Sequence, residues 1–330
     1  MTFVVYSDDF ALHRSPGHPE RPERAVSAMG FLRSMPFFEE LNLMNPVALG
    51  EDDILRVHSV EMVSRVKNTV GWLDPDTYVT ENSYEIAKLA AGGVVNACND
   101  VLNGNESNGF AIVRPPGHHA TKDRSMGFCL FNNVAIAADI IASQGKKVLI
   151  FDHDVHHGNG TCDIFYDRKD VLYQSIHLSP HYPGTGMAEE IGRDEGEGFT
   201  VNAPLPRGVG DGGIEKLLDE IMIPIAEQFS PDFIIFSAGF DSHHSDELGG
   251  LALTVNFYGE MVKKFSAIQS KIVCVLEGGY KLDVLGKGIA SEIAAMLGKK
   301  LEFEDHFPVA RDADGVIKNL KELLGSYWDL

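Results

Sequence analysis

Six consecutive positions, Asp152, His153, Asp154, Val155, His156 and His157, hold two carboxylates and three imidazoles. The apolar run 148–151 leads into them, and Gly158, Asn159 and Gly160 follow. Folding alone does not call for such a cluster. It could be a metal site, a polar loop without a task, or a group of core histidines. In an extended segment, positions i and i+2 point to the same side. Asp154 and His156 could therefore offer one ion an oxygen and a nitrogen. Asp241, at the end of another apolar run, could supply a third ligand. Two carboxylates and one imidazole leave room for water and substrate, as a catalytic metal site does. That donor set suits Zn²⁺ or Fe²⁺ and does not choose between them.

Two further motifs carry titratable groups. His118 and His119 follow Pro115, Pro116 and Gly117. The prolines fix the backbone and the glycine lets it approach closely. A paired imidazole unit suits general acid–base work near neutral pH, although two surface histidines would look the same. Tyr280 follows Gly278 and Gly279. Its phenol could donate to a developing oxyanion, or its ring could pack in the core.

These residues need a frame that brings them together. Apolar runs at 3–7, 109–115, 146–152, 171–178, 231–241 and 271–280 read as buried strands. Helical spacing occupies 83–104, 132–145, 212–229, 256–269 and 286–298. Alternating strands and helices imply crossover units and a parallel sheet. The polar and glycine-rich residues collect where the strands end, which is where open α/β sheets bind ligands. There is no internal repeat and no low-complexity linker, so a single domain over residues 1–330 is expected.

Hydrophobic residues make up 44% of the chain, enough for a sizeable core. The net charge of −20 argues against direct nucleic-acid binding and suits a cationic ligand, or serves solubility alone. No apolar stretch is long enough for a spanning helix, so no membrane role is expected. The N-terminal segment does not read as a secretory signal. Cys98, Cys129, Cys162 and Cys274 are widely spaced, and reduced thiols in a cytoplasmic protein are expected.

The motifs taken together resemble the histone deacetylase superfamily, which includes acetylpolyamine amidohydrolases and acetoin-utilisation proteins. "HPERPER" (18–24), "RPPGHHA" (114–120), "GFCLFNN" (127–133), "DHDVHHGNGT" (152–161), "SPHYPGTG" (179–186), "SAGFDSHHSDELGGL" (237–251) and "LEGGY" (276–280) carry the resemblance across nearly the whole chain. "RPPGHHA", Asn159 and the glutamate of "LEGGY" are closer to class II than to class I. The resemblance implies an arginase–deacetylase α/β fold with a mostly parallel sheet of about eight strands flanked by helices. It implies one divalent metal, usually Zn²⁺, held by Asp154, His156 and Asp241. His119 resembles the general base, His118 its electrostatic partner and Tyr280 the oxyanion donor. Asp152 would hydrogen-bond His118, and Asn159 would face His119. With a neutral amide as its partner, His119 should be the less basic of the two.

By the same resemblance Gly127, Phe128, Tyr182, Leu248 and Gly279 belong to a substrate tunnel. Arg24 resembles an arginine near the acetate exit, and Asp76 a rim aspartate holding the substrate backbone. Asp152, the Asp154 and His156 carbonyls and Ser175 could hold K⁺, or form an ordinary hydrogen-bond network. His153 stands where relatives carry an apolar residue and should point away from the metal. His243 and His244 read as rim or loop residues, and His157 and His177 as packing or supporting ones. The expected activity is a zinc-dependent deacylation of acylated lysine. The alternatives are an acetylpolyamine or other small-amide amidohydrolase, a non-catalytic acyl-lysine binder and a two-metal ureohydrolase. Oligomeric state is left open.

Overall fold

The computed structural model describes residues 1–14, 16–308 and 310–330. Among the described residues ten strands form: β1 (Thr2–Val5), β2 (Asn42–Met44), β3 (Gly71–Trp72), β4 (Tyr78–Val79), β5 (Asn108–Ala111), β6 (Val148–Asp152), β7 (Val171–Leu178), β8 (Thr200–Leu205), β9 (Phe233–Ala238) and β10 (Ile272–Leu276). Eight of them make one parallel sheet in the order β2-β1-β5-β10-β9-β6-β7-β8, and β3 with β4 is a separate antiparallel hairpin.

The strands are apolar throughout because both faces are covered. Alternation assigns Leu149, Phe151, Ile234, Phe236, Cys274 and Leu276 to one core. Val148, Ile150, Phe233, Ile235, Val273 and Val275 go to the other. Burying each of the larger side chains stabilises the fold by roughly 1.5–3 kcal/mol. The first core is closed by α1 (Glu23–Leu32), α9 (Val255–Ser266), α10 (Leu282–Met296) and α11 (Asp314–Leu324), with α7 (Asp211–Leu217) and α8 (Ile223–Phe229). The second is closed by α3 (Val60–Asn68), α4 (Ser83–Leu102), α5 (Asn133–Ala142) and α6 (Asn159–Phe165); α2 (Glu51–Ile54) is a single turn that adds Ile54.

The expected continuous helix at 212–229 is divided by a π turn at Leu218–Met222. Pro224 has no N–H to give to the Glu220 carbonyl, and the wider turn absorbs the lost bond. The two edge strands are those the apolar pattern does not reveal. β2 has three residues, and β8 carries Asn202 and Pro204, which an edge tolerates. No helix among the described residues is long and apolar enough to cross a membrane.

In the sheet order, β5, β10, β9 and β6 are adjacent. Their carboxyl ends lead into His118–His119, Tyr280, Asp241 and Asp154–His156 respectively. Residues far apart in the chain are thus delivered to one edge of the sheet.

Candidate active site

Asp154, His156 and Asp241 each place one donor atom within 4.8 Å of the other two. His156 Nδ1 lies 3.0 Å from Asp154 Oδ1 and 3.3 Å from Asp241 Oδ2. The remaining oxygens are held by backbone: Gly278 N–H donates to Asp154 Oδ2 at 2.7 Å, and Val155 N–H to Asp241 Oδ1 at 2.9 Å. A Cβ on Gly239 would strike the Asp154 carboxylate, and one on Gly278 the Asp241 carboxylate, so only glycine permits this approach. Asp241 Oδ2 is buried and accepts no hydrogen bond among the described residues. An uncompensated buried carboxylate oxygen is costly. Burial opposes charge on His156, but Asp154 and Asp241 outweigh it and raise its pKa to about 10. A nitrogen facing two carboxylate oxygens needs a proton or a metal cation between them, and this oxygen–nitrogen–oxygen set fits a divalent ion.

The tandem histidines stand beside this triad, their rings 4.0 Å apart. His118 Nδ1 is 3.1 Å from Asp152 Oδ2, and His119 Nδ1 is 2.8 Å from Asn159 Oδ1. The Asn159 amide nitrogen faces Met126 Sδ at 3.6 Å, which leaves its oxygen to accept from His119 Nδ1–H. Burial works against charge on His118, but Asp154 and Asp152 outweigh it and lift the pKa to about 10. Burial lowers the His119 pKa well below its usual range, and the charges of His118 and His156 lower it further. The surroundings therefore shift the two imidazoles in opposite directions, His118 up and His119 down.

These groups open into a cavity of about 250 Å³, lined by Asp76, His118, His119, Gly127, Phe128, His156, His181, Tyr182, Leu248, Gly278 and Tyr280, with Pro116. The His119 ring meets Tyr182 edge-on at 5.1 Å, and Phe128 meets Tyr280 at 5.8 Å. Burial pushes the Tyr280 phenol pKa well up, so it keeps its proton. A hollow of about 640 Å³ between α9 and α10 is larger, but its titratable lining is Glu260, Lys263, Lys299, Lys300 and Glu302, with no histidine among them.

A sequence model of the histone deacetylase domain matches residues 18–296. The chain belongs to the histone deacetylase family. A probable deacetylase of Archaeoglobus fulgidus is 40% identical, with 99% of each chain covered. Histone deacetylase 15 of Arabidopsis thaliana is 40% identical over 94% of this chain, which spans 58% of that protein's length. The crystal structure of the HDA15 HD domain superposes with a TM-score of 0.92 at 36% identity, covering 99% of this chain and 96% of that one. The α/β fold with a central eight-stranded parallel sheet and the deacetylase function follow from these likenesses.

One expectation for this deacetylase needs correction. Gly278, not Gly279, lines the cavity. Gly279 has φ +112, its Cα faces Phe240 and Leu285, and its carbonyl accepts from Arg24 Nε at 2.7 Å. Arg24 lies behind the cavity lining, against Tyr280. It is fully buried, donates to the Gly279, Glu277 and Glu20 oxygens, and lies 4.9 Å over the Tyr280 ring. It braces the turn that carries the phenol. His243 lies in the loop between β9 and α9, 3% exposed and bound to Asp305.

Asp76 sits in the turn of the β3–β4 hairpin and reaches the cavity, and the neighbouring Thr77 Oγ1 accepts from Phe128 N–H at 3.1 Å. Ser175 lies opposite Asp152 in register. Its hydroxyl bonds His177 Nδ1 at 2.9 Å, and Asp152 Oδ2 is shared by His118 and Tyr173. His153 points away from the triad, to Gly239 O at 3.0 Å and to Glu292 at 3.0 Å.

Three contributors carry no expected role in the sequence reading. Glu277 Oε2 accepts from Gly117 N–H at 2.7 Å and His118 N–H at 3.1 Å, fixing the tandem histidines. Asp246 Oδ2 accepts from Tyr280 N–H at 2.7 Å. His181 stacks on His156 at 4.8 Å and lines the cavity. A glutamate closing an apolar strand run, and an aspartate five positions beyond a ligand candidate, were the available signals.

Proposed function

We propose that this deacetylase hydrolyses the acyl amide of acylated lysine side chains in peptides, with Asp154, His156 and Asp241 holding a divalent metal, Zn²⁺ in preference to Fe²⁺. The observation that carries the reading is the convergence of those three donors under a narrow cavity that also receives His118, His119 and Tyr280. When bound, the ion would supply Lewis-acid polarisation and acidify water.

The chain's own groups do the rest. Phe128 and Tyr182 flank the lysine methylenes, and Asp76 at the mouth accepts from the substrate backbone. His119, neutral and with Nδ1–H committed to Asn159, keeps Nε2 free to take a proton from water and return it to the leaving amine. His118, held cationic by Asp154 and Asp152, stabilises the negative charge that develops. Tyr280 keeps its proton and donates to the oxyanion. Products are a carboxylate and a free amine. Residues 1–330 act as one catalytic unit, since Ile317, Leu320 and Leu324 of α11 share the core of the sheet. Four unpaired, buried cysteines support a reducing, cytoplasmic setting.

Acetate release from acetyl-lysine peptides, acetylputrescine and acetylspermidine tests this, after reconstitution with Zn²⁺, Fe²⁺ or Mn²⁺. The expected result is a preference for the peptides with Zn²⁺. A clear preference for the polyamines, or peptide binding without acetate release with every metal, would overturn it.

A further inference from the structure

A second group of metal-capable side chains lies outside the active-site cavity. His243 and His244 follow β9 with their rings 4.1 Å apart. Asp305 reaches them from the segment between α10 and α11. Its Oδ2 is 2.8 Å from His243 Nε2, and its Oδ1 is 2.8 Å from His244 Nε2. One donor atom from each residue lies within 4.8 Å of the other two. The side chains are 3%, 21% and 15% exposed for His243, His244 and Asp305. A cleft of about 220 Å³ opens onto them, with Glu304 among its walls. It has room for water or a further oxygen ligand.

We propose that His243, His244 and Asp305 form a second divalent-cation site, separate from the catalytic triad, that takes Zn²⁺ or Co²⁺. Two imidazoles and a carboxylate with an open cleft are a donor set these ions favour. The supporting contact is in place: Ser245 Oγ lies 2.9 Å from His243 Nδ1 and accepts its proton once Nε2 ligates. Binding gives up the long bond from Ser245 N–H to Nδ1, 3.2 Å, and places the ion near Lys281 and Lys287. Both effects set the affinity below that of the active-site triad. Asp305 also accepts from Val255 N–H at 2.8 Å, at the start of α9. Occupancy therefore ties the segment around Asp305 to α9 and to the loop that begins at Asp241.

The protein is stripped with chelator, titrated calorimetrically with Zn²⁺, and its bound ions are counted by plasma mass spectrometry after gel filtration. Wild type should hold two ions per chain, and His244→Ala and Asp305→Asn one each. In Asp154→Asn, where the catalytic site is impaired, Co²⁺ should still give the visible absorption of a histidine-ligated ion, and adding His244→Ala should remove it. Circular dichroism of the metal-free variants confirms folding, and the partly exposed His244 carries the test where Asp305→Asn does not fold. One ion in wild type would make Asp305 a hydrogen-bond clamp and overturn the site. So would a second ion that persists in both His244→Ala and Asp305→Asn, as a two-metal centre built on Asp152, Asp154 and Asp241 would require.

Discussion

Two pairs of adjacent histidines in this chain have nearly the same internal geometry and opposite surroundings. The rings of His118 and His119 are 4.0 Å apart at 45°, and those of His243 and His244 are 4.1 Å apart at 34°. The first pair divides its partners, a carboxylate for His118 and an amide for His119. The second pair shares the one carboxylate of Asp305. Unlike partners in a fully buried setting pull the two imidazoles apart, and one stays charged while its neighbour stays neutral. A common partner cannot do that. It gives both rings the same carboxylate, and burial of Asp305 is outweighed by His244, Val255 N–H and His243, which hold its pKa at about 2. A tandem histidine is therefore not chemistry by itself; the difference between its two partners makes it so.

The largest break in this comparison is His119→Ala. Loss of a positioned general base should lower kcat by about 10²–10⁴-fold at unchanged fold, measured by acetate release under saturating substrate. The matching change in the other pair, His243→Ala, should register in thermal denaturation, because Asp305 and Ser245 lose a partner in a buried place. A kcat for His119→Ala within a few-fold of wild type would dissolve the distinction between the pairs. Next in size is Asn159→Leu, which removes the acceptor that fixes the His119 tautomer. Losing such an orienting partner should lower kcat by roughly 10–100-fold, with KM little changed. A rise in KM alone would mean that Asn159 shapes the cavity and does not orient the base.

The first pair was legible in the sequence and the second was not, for a physical reason. His118 and His119 follow strand β5 directly after Pro115–Pro116–Gly117, and their partners Asp152 and Asn159 lie in another recognisable motif. His243 and His244 depend on Asp305, in a segment with no periodicity, and nothing local predicts that contact. The same contrast runs through the fold. The central strands β5, β6, β7, β9 and β10 show as apolar runs because both faces are buried. The edge strands β2 and β8 do not, since edge positions accept Asn42, Asn202 and Pro204. Among the site residues, the grouping of Asp154, His156 and Asp241, which could hold a metal, followed from strand ends and spacing. The bracing carbonyl contacts of Arg24 did not, because a backbone acceptor leaves no residue-type signal.

A third buried imidazole sharpens the lesson with a measurable pH dependence. His13 stacks on Tyr78 at 4.4 Å and lies 3.6 Å from Glu20, which Arg114 grips through two nitrogens. Burial lowers the His13 pKa from 6.5 to about 3, the Glu20 charge failing to offset it. Burial would raise the Glu20 pKa, but Arg114 and then Arg24 outweigh it and take it from 4.5 to about 2. Both folded values lie below the unfolded ones, so both groups stabilise the fold at high pH. The His13 contribution is complete above 6.5 and is lost as pH falls toward 3; the Glu20 contribution is complete above 4.5 and is lost toward 2. On the acid side the Tm should fall by a few degrees between pH 7 and pH 5 and more steeply below pH 4.5, while the raised values of His118 and His156 withdraw stability as pH climbs from 6.5 toward 10. His13→Gln should make the first portion shallower, with His58 and His177, both lowered to about 4 by burial, carrying the rest, and leave the second. A Tm profile without the first portion would show that His13 takes up a proton without cost and has a partner like that of His118.

The smallest effect belongs to the rim, where exposure replaces burial and partners count for least. Leu248 is 36% exposed at the mouth of the cavity, on the same loop as Asp246, and His181 donates to its carbonyl at 3.0 Å. An apolar side chain there cannot attract the second ammonium of a polyamine, although the chain carries a net charge of −20. Leu248→Glu adds a carboxylate without disturbing the backbone contacts of the loop. Its field is screened over about 8–10 Å at ordinary ionic strength, so the gain is modest. The ratio of kcat/KM for acetylspermidine over an acetyl-lysine peptide should rise by roughly three- to ten-fold at low salt, in line with an exposed ion pair of about 1 kcal/mol. It should shrink as salt is added, because the effect is electrostatic and solvent-exposed. A ratio that does not move would mean that small-amide discrimination is set deeper, between Phe128 and Tyr182, where the cavity is narrow. The rim would then be indifferent to charge, and the contrast between buried and exposed partners would extend to the substrate itself.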